Sequence, residues 1–154
     1  QNLRLYTKYG LFPHLTIMVG YYWQTREQLN KTIKTVKKFM FEGLARTLQV
    51  TLCTPLDFTP YHNECIDKEM LLTEDYDDFD MSKLIVKTPI PHDEYYKAIR
   101  EVYTIAFHPR FLAKQLKFLF GFNKKDWQFL FTYGNRAIRR VRQHVFNLTK
   151  HQSD

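Results

Sequence analysis

Two apolar runs of strand length, residues 15–19 and 47–53, flank one segment with helical periodicity, and this arrangement leaves few folds open. The first run passes through Ile17 and Val19 into Gly20, and the second through Val50 and Leu52 into Thr54. Between them Leu29, Ile33, Val36, Phe39 and Met40 recur at the spacing of one helix face, with Lys31, Lys34, Lys37 and Lys38 interleaved. Thr25 is a natural N-cap with Gln28 three residues on, the capping-box spacing, and Gly43 is a natural stop. A connection of this length joins two parallel neighbours by a right-handed crossover helix. The expectation is an α/β chain with one βαβ unit, whose strands deliver their C-terminal ends into adjacent loops, where α/β folds hold ligands.

The rest of the chain divides by pattern. Residues 2–9 look like the end of a helix stopped by Gly10. From Pro55 to Pro91 periodicity weakens, four of the six prolines occur, and the acidic run 74–80 appears. That span is expected to be irregular, with a short helix at 61–67 and an extended piece at 83–87. The acidic run lacks the glycine and terminal glutamate of a calcium loop and reads as a solvated loop. Helical spacing returns after Pro91, with His92 or Asp93 as cap and Tyr96, Ile99, Val102, Tyr103 and Ala106 on one stripe. Pro109 opens a further helix carrying Phe111, Leu112, Leu116, Leu119 and Phe120, and residues 123–144 resume after Gly121 with Trp127, Leu130, Phe131, Ala137, Ile138 and Val141. The tail from residue 149 is expected to fray. The expected divisions are residues 1–66, 67–91 and 92–154.

The 154 residues suit one ordinary domain, and no apolar run approaches the roughly 18 residues of a membrane span. No signal-peptide pattern is present, and two sparse cysteines, Cys53 and Cys65, fit a reducing compartment, so the cytoplasm is the expected location. The chain opens on Gln1 and leads almost at once toward a buried parallel strand, so it is expected to be part of something longer. Its net charge of +7 is unevenly distributed. Up to Phe107 there are 13 Lys and Arg against 14 Asp and Glu; from His108 onward there are 10 against 2. A basic helical region rich in aromatics serves as a solvated face over an aromatic core, meets an anionic membrane surface, or binds nucleic acid. No RNA- or DNA-binding motif supports the last. The six scattered histidines form no HExxH pattern and accompany no nucleophile elbow.

The loop Gly20-Tyr21-Tyr22-Trp23-Gln24-Thr25 resembles the turn of radical S-adenosylmethionine (SAM) enzymes that runs glycine, aromatic, proline, tryptophan or glycine, glutamate, threonine. Thr54-Pro55-Leu56-Asp57-Phe58-Thr59-Pro60-Tyr61 is similar to their later Thr-Pro turn, which continues Pro-Gly-Thr-Pro and an aromatic. Residues 71–77 are similar to the region that follows this turn, and the stretch His108-Pro109-Arg110-Phe111-Leu112 resembles the C-terminal helices of members that also carry an N-terminal cobalamin-binding domain. The order and spacing of these motifs cover nearly the whole chain.

The resemblance implies a partial TIM-type barrel, of which this chain holds the last βαβ unit, followed by an α-helical C-terminal region. It implies a wall against the adenine and ribose of SAM made by Met18, Gly20, Tyr21 and Gln24 from the first strand end and by Leu52, Thr54 and Pro55 from the second. Tyr22 and Trp23 fall on the loop above the first strand, facing substrate or capping the barrel rim. The substrate class implied is a small or lipid-like molecule. The family's proline is Tyr22 here, its glutamate is Gln24, and the glycine of its second turn is Phe58. The Cys-x3-Cys-x2-Cys loop that holds the family's four-iron, four-sulfur cluster is missing from the sequence. The chain is therefore expected to contribute the trailing part of such a barrel, to need the missing N-terminal half, and to be inactive alone.

Overall fold

The computed structural model describes residues 2–11, 13–121, 123–125, 127, 128, 131–134, 136, 139, 140 and 143. Helix α1 (Asn2–Lys8) ends at Gly10, whose φ of +75° reverses the chain. Strand β1 (His14–Val19), helix α2 (Arg26–Glu42) and strand β2 (Thr47–Leu52) then form the expected βαβ unit. The strands are parallel and in the register His14 to Thr47 through Val19 to Leu52. Bonds from Arg46 N–H to Pro13 O (3.1 Å) and from Cys53 N–H to Val19 O (2.8 Å) extend the ladder at both ends.

Helix α2 forms where its sequence dictates. Thr25 is extended, its hydroxyl accepts the Gln28 N–H at 3.3 Å, and the Gln28 side chain accepts the Thr25 N–H at 2.9 Å. Such a cap stabilises a helix by about 1 kcal/mol. Gly43 closes the other end at φ +74°. Leu29, Ile33, Val36 and Met40 are buried against the sheet and against helix α4 (His92–Tyr103), and each buried side chain of this size contributes about 1.5–3 kcal/mol. Phe39, on the expected stripe, is only half-buried.

Helix α3 (Pro60–Asp67) has Pro60 in its first turn and Thr59 as N-cap, the Thr59 hydroxyl accepting the His62 N–H. The acidic run contains a short 3-10 turn (Tyr76–Asp78). The extended piece lies where expected and does more than connect: Leu84, Ile85 and Val86 are buried, and Val86 forms an antiparallel bridge with Leu71.

Helix α4 begins after Pro91, which has no side-chain capping bond, and neither His92 nor Asp93 is the cap. Asp93 and Glu94 instead place negative charge in its first turn. Tyr95, Tyr96, Ile99 and Val102 are buried, but Ala106 is exposed and Ile105 takes the inward position. The chain tightens into a 3-10 turn (Thr104–Phe107), and three residues per turn bring Ile105 beneath Val102. Helix α5 (Pro109–Leu119) buries Phe111 while Leu112 and Leu116 remain exposed. Helical backbone recurs among the described residues between 124 and 143; Leu130, Ala137, Ile138, Val141 and the tail from 149 lie outside the described residues. No helix among the described residues is long and apolar enough to cross a membrane.

The two edges of the strand pair differ. On β2 the hydroxyl of Tyr103, from the end of α4, accepts the Val50 N–H at 3.1 Å and reaches the Val50 carbonyl at 3.4 Å. Among the described residues β1 has β2 as its one ladder partner. Beside β1 runs a groove of about 290 Å³ lined by Leu15, Ile17, Lys31, Thr35, Val36 and Phe39.

Candidate functional site

Strand alternation splits the pair into two faces. Leu15, Ile17, Val19, Leu48, Val50 and Leu52 belong to or pack on the helix-covered core. His14, Thr16, Met18, Thr47 and Gln49 are exposed on the other face, with His14 Nδ1 2.7 Å from the Thr47 hydroxyl across the pair, while Thr51 on that same face is buried. Parallel sheets are ordinarily covered on both faces; here the face is open and polar over most of its length and covered at the C-terminal end of β2. Met18 sits near the C-terminal end of β1 and is 50% exposed.

Gly20 ends β1 at φ +94°, a region that side chains avoid. A Cβ there would lie 2.4 Å from the Leu84 side chain, so this chain itself presses on one flank of the glycine. Its N–H donates to the Gln24 side-chain oxygen at 2.7 Å, and the Gln24 N–H donates to the Tyr21 carbonyl at 2.9 Å. Gln24 is 6% exposed, and the Tyr95 hydroxyl lies 3.4 Å from its carbonyl. At this position a neutral side chain thus has a full structural role: it closes the turn that the glycine opens.

Above the turn four aromatic rings meet. Tyr21 stacks on Trp23 with centroids 5.0 Å apart, Tyr22 meets Trp23 edge-on at 4.6 Å, and Tyr61 of α3 lies 5.4–6.1 Å from all three. The Tyr22 hydroxyl donates to a Glu64 carboxylate oxygen at 2.5 Å, and the Lys68 ammonium donates to the same carboxylate at 2.6 Å and to the Tyr22 oxygen at 2.5 Å. Lys68 holds the Glu64 carboxyl below its usual range, with the Tyr22 hydroxyl adding to the effect. Glu64 in turn raises the Lys68 ammonium. Tyr61 is the aromatic that ends the second turn of the resemblance, whereas Glu64 and Lys68 carry no motif; the spacing of three and four residues that puts all three on one helix face is the signal available for them.

The end of β2 is closed in. Leu52 is part of the core, Pro55 is fully buried, and Cys53 is buried beneath Tyr21 and Tyr61. Burial pushes the Cys53 thiol up to about 11, although the neighbouring tyrosine hydroxyls favour its ionised form. Burial likewise raises Cys65, Tyr21 and Tyr61. The Tyr61 hydroxyl faces the Cys53 and Cys65 thiols and the Tyr22 backbone. The Thr54 hydroxyl is buried and has no hydrogen-bond partner among the described residues, which is uncommon in folded proteins. The following loop is pinned by His62 Nε2 at 3.1 Å from Asp57, which also holds the Tyr76 hydroxyl. Phe58 within it is 99% exposed and takes φ +63°, the backbone conformation that glycine adopts freely.

The structure therefore brings Met18, Gly20, Tyr21, Gln24, Thr54 and Pro55 to one end of the strand pair, with Tyr22 and Trp23 on the loop above, while Leu52 faces the core. No set of three or more His, Cys, Asp or Glu able to hold a metal ion occurs among the described residues. No family model matches the chain, and it matches no curated protein and no solved structure.

Proposed function

We propose that this chain is the trailing part of a radical SAM enzyme of the cobalamin-linked kind, contributing the last βαβ unit of a partial TIM-type barrel and part of the wall that binds the adenosyl group. The observation that carries the proposal is the inequality of the two strand edges. Tyr103 occupies the outer edge of β2, as suits a last strand, whereas among the described residues β1 has no strand on its other edge and a groove lies between its side chains and α2, which leaves room for a preceding strand. The open polar face agrees with a barrel lumen, and the left-handed backbone at Phe58 agrees with a turn that resembles one carrying glycine.

When bound, the cluster and SAM supply a 5′-deoxyadenosyl radical, and the cluster's ligands belong to the part of the barrel that precedes this chain. Residues of this chain would have binding and positioning tasks. Met18, half exposed with its sulfur 3.8 Å from the Tyr21 hydroxyl, would offer an apolar surface to a flat ring, and Gln24 holds the turn in shape. Tyr22, fixed by Glu64 and Lys68, and Trp23 would form the rim that the substrate passes. An oxygen-sensitive cluster and two free buried thiols suit a reducing cytoplasm.

Titration of the 15N-labelled chain with millimolar 5′-deoxyadenosine tests the reading. Shifts of the Met18, Gly20 and Thr54 amides, with the amides of α4 unmoved, are expected. Shifts confined to the helices would refute it.

A further inference from the structure

Cations are treated differently in the two parts of the chain. Before His108 seven of the thirteen meet carboxylates of the chain: Arg4 and Lys38 with Glu42, Arg26 with Glu94, Lys37 with Glu101, Lys68 with Glu64, Lys83 with Asp78, Lys97 with Asp93. After it, Arg110, Lys124, Lys125, Arg139 and Arg140 are exposed and form no ion pair among the described residues. The sequence from His108 supplies two carboxylates for ten cations.

The same region exposes large apolar side chains. Leu112 and Leu116 lie one turn apart on α5, on a different face from the buried Phe111. Phe107 is 80% exposed just before the helix and Phe120 is 89% exposed just after it. Trp127 stacks on Phe131 at 5.8 Å, and both rings are exposed. Exposed apolar side chains on a segment whose described cations meet no carboxylate among the described residues, Arg110 lying over the Phe41 ring, fit an occupant that is apolar within and anionic at its surface.

We propose that α5 and the described residues that follow it dock on an anionic lipid bilayer, with Leu112, Leu116 and Phe120 entering the acyl boundary and Arg110, Lys124, Lys125, Arg139 and Arg140 meeting the headgroups. The leucines decide against nucleic acid. A single strand is held by rings that stack on bases and by cations on phosphates, and exposed aliphatic leucines serve neither purpose.

The test uses the whole chain in co-sedimentation with vesicles of phosphatidylcholine alone and of phosphatidylcholine mixed with phosphatidylglycerol. Binding to the mixed vesicles, weakened by salt, is expected, with at least tenfold less on the neutral ones. Arg139→Glu/Arg140→Glu should lower the partition coefficient by about tenfold or more, since each charge near an anionic surface is worth roughly fivefold. Leu112→Gln/Leu116→Gln should lower it comparably with little change in the circular dichroism, because both side chains are about half exposed and glutamine keeps helix propensity without adding charge. Equal binding to neutral vesicles, absence of binding to mixed ones, or full binding by the leucine variant overturns the proposal. So does tighter binding to a single-stranded oligonucleotide than to mixed vesicles, or a lipid-free dimer that the leucine variant abolishes.

Discussion

The side-chain oxygen of Gln24 accepts the backbone N–H of Gly20 at 2.7 Å, across a turn of four residues and out of solvent. The residue that a radical SAM resemblance would make a glutamate is thus the acceptor for the residue that it would make a glycine. Gln24→Ala leaves that N–H buried and unpaired, and about 1–3 kcal/mol of stability should be lost. Gln24→Glu keeps the acceptor at a point just before the N-terminus of α2, where negative charge is favoured. Urea unfolding should therefore rank the variants wild type, Gln24→Glu, Gln24→Ala; a glutamate variant less stable than the alanine variant would show that the hydrogen bond is not what Gln24 is there for.

Gly20 has a second constraint, the Leu84 side chain at 2.4 Å from where a Cβ would stand. Gly20→Ala meets both this collision and a positive φ, and should cost at least about 2 kcal/mol. In Gly20→Ala/Leu84→Ala the collision is gone but the backbone strain stays. The double variant should be more stable than the sum of the single effects allows, by about 1 kcal/mol or more in a double-mutant cycle. Additivity would mean that the two residues do not press on each other.

Phe58 gives a cleaner measure of backbone strain, because its ring is in water and contributes little. Its φ of +63° lies in the left-handed region, which glycine enters without the cost that a side chain brings. Phe58→Gly should unfold at a higher urea concentration than Phe58→Ala, by about 1 kcal/mol in stability. Equal midpoints would mean that the loop relaxes to a negative φ once the ring is removed.

Cys53 ties stability to pH in a definite direction. Its thiol is pushed from an ordinary value near 9 up to about 11 by burial, so the unfolded chain ionises first. The folded state holds the extra proton between those values, and stability falls as pH rises from 9 through 11. Cys65, Tyr21 and Tyr61 shift in the same direction. Urea midpoints should be insensitive to these groups below pH 9 and decline above it, with a shallower decline in Cys53→Ala. An equal slope in that variant would place the titration elsewhere.

The βαβ unit was legible because its signals are local: the capping box at Thr25 and Gln28, Gly43 as stop, and period-two and period-3.6 patterns that never compete. Helix α4 was legible in its stripe but not at its ends, since Pro91 starts it without a side-chain bond and the 3-10 turn moves Ile105 into the place expected of Ala106. The packing of Leu84 on Gly20 and of Tyr61 on the aromatic turn were not legible. Each joins residues more than 35 apart in the chain, and no periodicity encodes such a meeting. The same holds for Tyr103 at Val50, the contact that distinguishes a closed edge from an open one.

The central claim, that this chain completes a barrel whose earlier strands carry the cluster ligands, is tested most directly by sequencing the transcript upstream of the codon for Gln1. The account predicts an open reading frame that continues upstream and encodes Cys-x3-Cys-x2-Cys just after an apolar strand run, within roughly half a barrel, or about 100–150 residues, of Gln1. A frame that begins at or near Gln1, or an upstream stretch of that length without the three cysteines, would contradict it.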